Sequence, residues 1–411
     1  NVFGHELLWI PSLNKIVFAL KNSVDNNLNL VVGEVTDAGV FTWGSLVQVE
    51  AGDMTNKAIL TYDTNSNKVV CVWHDTASGH KIKSVVGTIS GNSISFGTVV
   101  TIENDIESGN IGLCFDSTNN KVVTVWSEGT TGYAKSAVGT VSGTNISWGT
   151  AVDVNSHNSN QHSAAYDPDT QRVLLVSKKQ SDSQINSYVG TVSGTSISWG
   201  SATQVVAAGQ DIGIVYDTEN NKAVVGYSIT NNTVGVARVG TVTGGSTNSI
   251  SWGSEVTWWN NGSSGANRIV FDDYTRRVVV QLRKEAGGSQ YLYIASGGVS
   301  GTSISFTNYA QQTSEVVYGN TTTGLCMAQK GQIISVSRHG TLDQDTYSWR
   351  GLGGTGATDL TTENYVGLAA AAANDNATAT VDVSGATNTS QSSLTPGQKY
   401  FVQGDGTLGL T

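Results

Sequence analysis

The chain has 411 residues, of which 22 are Lys or Arg and 32 are Asp or Glu, so its formal net charge is -10. A protein that holds a nucleic-acid backbone needs clustered cations, and this balance argues against nucleic acid as a partner. The longest run of small apolar residues, 368–373, is too short to cross a bilayer, so no membrane insertion is expected.

One sequence unit recurs through most of the chain. Its clearest copy, at 189–200, reads Val-Gly-Thr-Val-Ser-Gly-Thr-Ser-Ile-Ser-Trp-Gly. The aromatic residue near its end recurs at intervals of 51 to 54 residues, at Trp43, Phe96, Trp148, Trp199, Trp252 and Phe306. A period of this size indicates stacked supersecondary units, none of which can bury its apolar face alone.

Each unit reads as four antiparallel strands. In the copy at 163–206, strands are predicted at 164–166, 172–177, 185–192 and 197–206, because these runs are rich in branched and aromatic residues and are separated by turn residues. Four strands in about 50 residues is typical of a kelch-type propeller blade.

Seven blades are predicted in chain order, at about 1–50, 56–103, 109–155, 160–207, 210–260, 265–314 and 318–351. The seventh lacks its fourth strand, and we expect a strand near or upstream of Asn1 to complete it, since ring closure removes exposed sheet edges. Residues 352–411 are predicted to be a linker and a small domain. The sequence therefore predicts an all-β protein, a seven-bladed β-propeller followed by a small β-rich C-terminal domain.

Residues that recur at the same place in five copies are predicted to be structural. An Asp follows the first-strand aromatic in five copies, where a hydrogen bond from its side chain to the turn backbone is expected. Glycines after each fourth-strand aromatic predict a bulge or a close contact between blades. The three cysteines lie in apolar runs without motif spacing and are predicted to be buried free thiols.

The connections between strands vary unevenly among the copies. Those joining strands one to two and three to four are nearly identical, whereas those joining strands two to three, and each blade to the next, differ in length and chemistry. In an up-and-down blade the varying sets must emerge on one face, called here the diversified face. Binding residues generally lie on variable loops of a rigid scaffold, which predicts a binding face; unconstrained drift is the alternative.

Seven residues of this face form the candidate ligand-binding set. Trp259 falls at a position that is mostly polar in other copies, which predicts an exposed indole beside Asn260 and Asn261, suited to stacking on a sugar ring. A packing contact between blades or subunits is the alternative. The other four are His157, Lys178, Asp211 and Arg283. The histidines of this face are predicted to be surface residues, with no metal site and no cofactor.

No sequence motif indicates catalysis. There is no Ser-His-Asp elbow, Walker loop or zinc motif, and no spacing singles out a carboxylate pair such as Asp211 and Glu285 for glycoside hydrolysis. We therefore expect a protein that is not an enzyme and has no catalytic residues.

The repeated unit, together with segments 361–368, 391–395 and 400–408, resembles tail-fibre and appendage proteins of tailed bacteriophages from marine and aquatic bacteria. The resemblance implies a virion-surface, extracellular protein that binds a host surface polysaccharide or receptor and contacts other virion proteins. It also implies a homo-oligomer, with a trimer among the candidate forms. A structural spacer or decoration module is the main alternative, and a degenerate glycan hydrolase a weaker one.

Overall fold

The protein divides into two compact units, Asn1–Gly354 and Thr355–Thr411. Its described residues form β-strands, turns and short 3₁₀ turns such as Pro11–Leu13, without an α-helix. The computed structural model describes residues 2–22, 26–36, 40–51, 54–77, 79–107, 109–229, 234–245, 248–260, 268–286, 289–311, 323–328, 331–338, 346–352, 368–369, 381–382, 401–402 and 408–409, in places by their backbone alone.

The first unit is a succession of antiparallel meanders, numbered here as repeats. Repeat 1 consists of β1 (Val2–Ile10), β2 (Lys15–Asn22), β3 (Leu28–Val35), β4 (Phe41–Trp43) and β5 (Val47–Glu50). Repeat 2 consists of β6 (Met54–Asp63), β7 (Lys68–Asp75), β8 (Lys81–Ser90), β9 (Ser93–Phe96) and β10 (Val100–Asn104). Repeat 3 consists of β11 (Gly112–Asp116), β12 (Lys121–Ser127), β13 (Tyr133–Ser142), β14 (Asn145–Trp148) and the start of β15 (Val152–Asp167). Repeat 4 consists of the rest of β15 with β16 (Arg172–Lys179), β17 (Ile185–Ser193), β18 (Ser196–Trp199) and β19 (Thr203–Val206).

The later repeats follow the same order. Repeat 5 consists of β20 (Gln210–Asp217), β21 (Lys222–Ile229), β22 (Val234–Thr243), β23 (Ser249–Trp252) and β24 (Val256–Trp259). Repeat 6 consists of β25 (Arg268–Asp272), β26 (Arg277–Ala286), β27 (Ser289–Ser300) and β28 (Ser303–Gln311). Repeat 7 consists of β29 (Thr323–Ala328), β30 (Gln332–Arg338) and β31 (Thr346–Leu352).

The first strands of the repeats pack side by side. In chain order β1 contacts β6, β6 contacts β11, β11 contacts β15, β15 contacts β20, β20 contacts β25 and β25 contacts β29, which in turn contacts β1. The hydrophobic core lies between neighbouring sheets, as in the cluster that joins Phe18 of repeat 1 to Cys326 and Ile334 of repeat 7. The first unit is therefore an all-β, propeller-like arrangement of antiparallel sheets.

A glycine in the third strand lies under the aromatic residue of the fourth strand. Gly33 pairs with Trp43 across the sheet, and Gly190 pairs with Trp199 in the same way. A Cβ atom at Gly33 would lie 2.4 Å from the Trp43 ring. The repeated spacing of glycine and aromatic residue therefore has one structural cause: in repeats 1 to 6 the ring of the fourth strand packs directly on the glycine of the third strand.

The same tryptophans connect each sheet to the preceding one. The indole nitrogens of Trp148, Trp199 and Trp252 donate hydrogen bonds to serine hydroxyls of the previous repeat at 2.8 to 2.9 Å, the acceptors being Ser84, Ser136 and Ser187. Where the aromatic residue is phenylalanine, the clusters contain an apolar residue at the corresponding position, Leu30 with Phe96 and Ala237 with Phe306. A tryptophan donor in one repeat thus goes with a serine acceptor in the repeat before it, and a phenylalanine goes with an apolar residue at the serine position.

The turns between first and second strands confirm the structural role of the recurring aspartates. The buried Asp167 carboxylate accepts hydrogen bonds from the backbone N–H groups of Asp169 and Thr170 at 2.9 and 3.1 Å. Equivalent bonds are made by Asp63, Asp116, Asp217 and Asp272. The glycine after the fourth-strand aromatic marks a close contact between repeats, since a Cβ at Gly149 would lie 1.9 Å from the Thr195 carbonyl oxygen.

The segment 155–160, predicted as a variable loop between two blades, is instead part of the continuous strand β15. This strand pairs with β13 of repeat 3 and with β16 of repeat 4, so that the two repeats share one sheet. Backbone bonds on both sides explain the extended form: Ser159 N–H donates to Gly132, and Gln180 N–H donates to Asn158.

Repeat 7 and the second unit contain the shortest sheets. Repeat 7 forms a three-stranded sheet in the described residues, and β1 is not its missing strand because β1 pairs with β2. In the second unit β32 (Leu368–Ala369) pairs with β33 (Val381–Asp382), and β34 (Phe401–Val402) pairs with β35 (Leu408–Gly409). The blade boundaries and the C-terminal domain otherwise stay predictions.

Candidate functional site

The first strands enclose a cavity of about 680 Å³. Each of the seven first strands contributes to its wall, and small-molecule sites commonly have volumes of this order. Its polar lining includes Glu6, Asn110, His162, Ser163 and Arg268. The cavity therefore combines apolar strand surface with a few hydrogen-bonding groups from different repeats.

The charged groups of the cavity come from repeats that are adjacent to repeat 7 on either side. Glu6 of repeat 1 and Arg268 of repeat 6 form an ion pair with 3.7 Å between Oε2 and Nη1. Their side chains are 22% and 29% exposed, so solvent screens the pair and reduces its contribution to stability. The pair keeps a carboxylate and a guanidinium on the cavity wall, where both an acceptor and a donor are available to a ligand.

His162 is a buried histidine at the cavity wall, only 3% exposed. The Ser127 hydroxyl donates its one proton to the Ser159 carbonyl oxygen, so the His162 Nε2–H group must donate to Ser127 Oγ, 2.9 Å away. His162 is thereby held in the tautomer with an unprotonated Nδ1, which has no hydrogen-bond partner among the described residues. Burial lowers the pKa of His162 to about 3, so the ring stays neutral.

The contact between Ser127 and His162 is not a nucleophilic pair. A catalytic histidine accepts the serine proton at Nε2 and is oriented by an acceptor at Nδ1. Here His162 Nε2–H donates to the Ser127 hydroxyl oxygen, so Nε2 cannot accept the serine proton. Ser127 is also buried and its hydroxyl is used by the backbone of Ser159. The pair instead fixes the orientation of the imidazole ring.

A comparison among the chain's own copies would have identified these residues. The positions equivalent to His162 hold Ala58, Ile111 and Ile212 in repeats 2, 3 and 5, and the polar His5 and Asn267 in repeats 1 and 6. Its cross-strand neighbour is Ser177, where repeats 2, 3 and 5 have Trp73, Trp126 and Tyr227. Glu6 and Arg268 likewise stand where other first strands have Ile59, Gly112 and Gly213. Sequence reasoning missed them because it compared the loops and not the first strands.

Trp259 lies at the end of β24 with intermediate exposure, less exposed than predicted. Its ring contacts Tyr293 of repeat 6, with 5.2 Å between centroids, and its indole nitrogen is buried. Trp258 is buried, as the register of the copies predicts. Asn260 is exposed, and Asn261 lies outside the described residues. Packing between repeats accounts for the position of the Trp259 ring.

Of the other four predicted site residues, Lys178 and Asp211 lie next to strand ends, whereas His157 lies within β15 and Arg283 within β26. His157 is half-buried, with its Nε2 3.3 Å from the Tyr188 hydroxyl and its Nδ1 3.2 Å from Ser159 Oγ. The Asp211 N–H donates to Gln161 Oε1 at 2.9 Å, next to Ile212 of the cavity wall. Lys178 is half-buried at the end of β16, and the side chain of Arg283 in β26 lies outside the described residues.

The histidines of the diversified face are not all surface residues, contrary to expectation. His74 is buried like His162, and its Nε2 lies 3.2 Å from Nδ1 of the exposed His80. Burial, followed by the proximity of His80, lowers the pKa of His74 to about 4. His74 and His162 lie within long strands, so their side chains pack inside the protein although each residue is close to a loop in the sequence.

The three cysteines are buried free thiols, as predicted. Burial raises the pKa of each, and the negative charge of Glu6 adds to this effect at Cys71 and Cys326. Within the described ranges, no group of three His, Cys, Asp or Glu side chains could hold a metal ion. No helix in the same part of the chain is long and apolar enough to cross a membrane.

Comparisons with known proteins give similarity in fold. A scan against protein-family models and a search of curated proteins found no match. A putative 6-phosphogluconolactonase from Bacteroides uniformis is 11% identical, covers 84% of this chain and 94% of its own, and has a TM-score of 0.47. The polysaccharide lyase Uly1 is 9% identical, with 85% and 89% covered and a TM-score of 0.46. The NanB sialidase from Streptococcus pneumoniae is 10% identical, with 85% and 67% covered and a TM-score of 0.44.

The expectation that the chain is not an enzyme was wrong, because solved structures similar to it include enzymes, a polysaccharide lyase and a sialidase among them. The absence of a sequence motif is weak evidence in such a fold. Groups on different first strands, such as Glu6, His162 and Arg268, meet only through the arrangement of the sheets. At these identities the likeness concerns the fold, and no reaction is assigned to this chain.

Proposed function

We propose that the protein is a carbohydrate-binding β-propeller of seven blades, with a small β-rich C-terminal domain. The succession of neighbouring first strands, in which β29 contacts β1, supports seven blades arranged in a ring. The hydrogen bond from Gln332 Nε2 to the Thr36 carbonyl oxygen, at 3.2 Å, supports contact between the last repeat and the first.

The observation that carries the binding proposal is the cavity of about 680 Å³ between the first strands. A sugar has apolar faces and a rim of hydroxyl groups that donate and accept hydrogen bonds. The cavity offers apolar strand surface, the acceptors of Glu6 and His162, and the donor of Arg268. The variable connections of the diversified face would extend this site towards a longer glycan.

We further propose that the protein is carried on the surface of a phage appendage and binds host surface polysaccharide. This step rests on the resemblance of the repeat and of the C-terminal segments to phage appendage proteins. The partners would then be a host glycan, other virion proteins and further copies of the chain. Trp259, Asn260 and Asn261 remain proposed contacts at the edge of the diversified face.

A glycan array followed by calorimetric titration of the best glycan tests the proposal. Arg268→Ala should weaken binding at least tenfold, because it removes the cavity's guanidinium donor. Arg276→Ala is the matched control, since Arg276 is 58% exposed in the turn after β25 and pairs with Glu219. Equal binding by Arg268→Ala and wild type would remove the cavity from the proposal.

Further measurements distinguish glycan binding from the two alternatives, an enzyme and a spacer module. Trp259→Ala should weaken binding of long glycans only, if the diversified face extends the site; unchanged binding would remove Trp259. Release of sugars from the bound glycan would identify turnover. A protein that binds no glycan but assembles with other virion proteins would be a spacer module.

A further inference from the structure

Four buried polar atoms have no hydrogen-bond partner among the described residues at the contact between repeats 3 and 4. They are His162 Nδ1, Ser177 Oγ, Asn160 Oδ1 and Glu107 Oε2. Buried polar groups are nearly always hydrogen-bonded, and each unpaired one lowers the stability of the folded protein. A group of four in one place calls for a physical explanation.

Hydrogen bonds join the chain segments that carry these four residues. The Glu107 N–H donates to the Ser127 carbonyl oxygen at 2.9 Å, and Ser127 Oγ accepts the bond from His162. The Asn110 N–H donates to the Asn160 carbonyl oxygen at 3.3 Å. Ser177 is the direct cross-strand neighbour of His162, so their side chains lie on the same side of the sheet.

One member of the cluster, His162, lines the cavity. Both His162 and Asn110 line the cavity wall, and Asn160 precedes His162 by two residues in β15. His162 is more than nine-tenths buried and its Nδ1 is unpartnered. His162 therefore lies beside a space large enough for a ligand, and the other three unpaired atoms belong to residues of the segments next to it.

The chemistry of these atoms selects a ligand that donates hydrogen bonds. Carboxylate oxygen, amide oxygen and unprotonated imidazole nitrogen are acceptors, and a serine hydroxyl can also accept. Glu107 is the single carboxylate of the four, whereas a hard cation is usually held by six or more oxygens, several of them carboxylates. Neutral hydroxyl donors therefore suit the cluster better than a metal ion.

Among repeats 2 to 5, the pair of histidine and serine occurs in repeat 4. Aliphatic and aromatic residues occupy the equivalent pairs of repeats 2, 3 and 5, Ala58 with Trp73, Ile111 with Trp126 and Ile212 with Tyr227. The fold therefore accepts an apolar pair at this place. Repeat 4 instead has His162 and Ser177, whose unpaired polar atoms lower the stability of the folded protein. A bound ligand that donates hydrogen bonds to these atoms would offset that loss of stability.

We propose that Glu107, Asn160, His162 and Ser177 form a recognition subsite for the hydroxyl groups of a sugar in the central cavity. The subsite rests on the proposed function and deepens it, since it names the atoms that would accept hydrogen bonds from the sugar hydroxyl groups. His162 Nδ1 is its central acceptor, held in place by Ser127.

The test combines nitrogen NMR of the histidine rings with thermal unfolding. Wild type, His162→Ile and His162→Asn are titrated separately with D-glucose, D-galactose and D-mannose. In the wild type, the ¹⁵N resonance of His162 Nδ1 should shift on addition of at least one sugar, and its absence from both variants assigns it. His162→Ile should bind that sugar about tenfold more weakly, whereas His162→Asn, which keeps an acceptor near the Nδ1 position, should retain most of the affinity.

Thermal unfolding without sugar adds a readout that a structural histidine would not produce. His162→Ile should unfold at a higher temperature than the wild type, because Ile111 and Ile212 fit the same position and one unpaired polar group is removed. Lower stability with unchanged sugar binding would overturn the subsite. A wild-type sugar response that His162→Ile retains would also overturn the subsite but leave the proposed function intact. No sugar response in the wild type would overturn both.

Discussion

The two ends of the sheets in the first unit differ in how strictly they repeat. At one end, the turns after the first and third strands reuse the same aspartate bonds and the same glycine contacts in successive repeats. At the other end, the connections differ, and the first strands carry residues as unlike as Glu6, His162 and Arg268. Repetition at the first end reflects packing, whereas the variable end carries the groups for which we propose binding.

The largest expected effect on stability is at the end of the sheets where the turns repeat. Gly149→Ala should lower the free energy of unfolding by about 3 kcal/mol, because the new Cβ would lie 1.9 Å from a backbone oxygen of the next repeat. Gly194→Ala is the control: its φ is +61°, but nothing lies within 4 Å, so about 1 kcal/mol is expected. Urea unfolding measures both, and equal costs would contradict the contact between repeats.

A second comparison sets the two ends against each other directly. Asp167→Ala should cost about 2 kcal/mol, because two turn N–H groups lose their acceptor. Lys178→Ala, at the diversified face, should change the unfolding free energy by less than about 0.5 kcal/mol. A larger loss from Lys178 than from Asp167 would reverse the distinction between the two ends.

A third prediction concerns the pH dependence of stability. Above pH 6.5, His162 is neutral in the folded and in the unfolded chain. Between about pH 6.5 and 3 the unfolded chain binds a proton that the folded protein does not, so stability falls as the pH falls. His162→Ile should therefore lose about 1.4 kcal/mol less per pH unit than the wild type in this window. Parallel stability curves between pH 7 and 5 would contradict the buried, neutral histidine.

The smallest effect concerns the bonds between sheets. A double-mutant cycle with Trp199→Phe and Ser136→Ala should give a coupling energy of about 1 kcal/mol. The double variant should be more stable than the sum of the single changes predicts, because phenylalanine with an apolar partner already occurs in repeats 2 and 6. Strict additivity, measured by urea unfolding, would show that the indole bond contributes nothing.

Much of the fold could be predicted from the sequence, and less of the candidate site. The aspartate turns, the buried cysteines and the strand order follow from local patterns that recur. The loop predicted at 155–160 is a strand because its polar residues find backbone partners in two repeats at once. Trp259 was predicted to be exposed because strand alternation does not reveal Tyr293 of the next repeat.

The sequence by itself determined the period, the strands within each repeat and the turns between them, because these depend on residues close together in the chain. Only the tertiary structure decided which residues share the cavity. Glu6 and Arg268 come from the repeats on either side of repeat 7, and Ser127 of repeat 3 reaches His162 of repeat 4. Such contacts depend on how whole sheets pack around a common centre, and no local pattern encodes that.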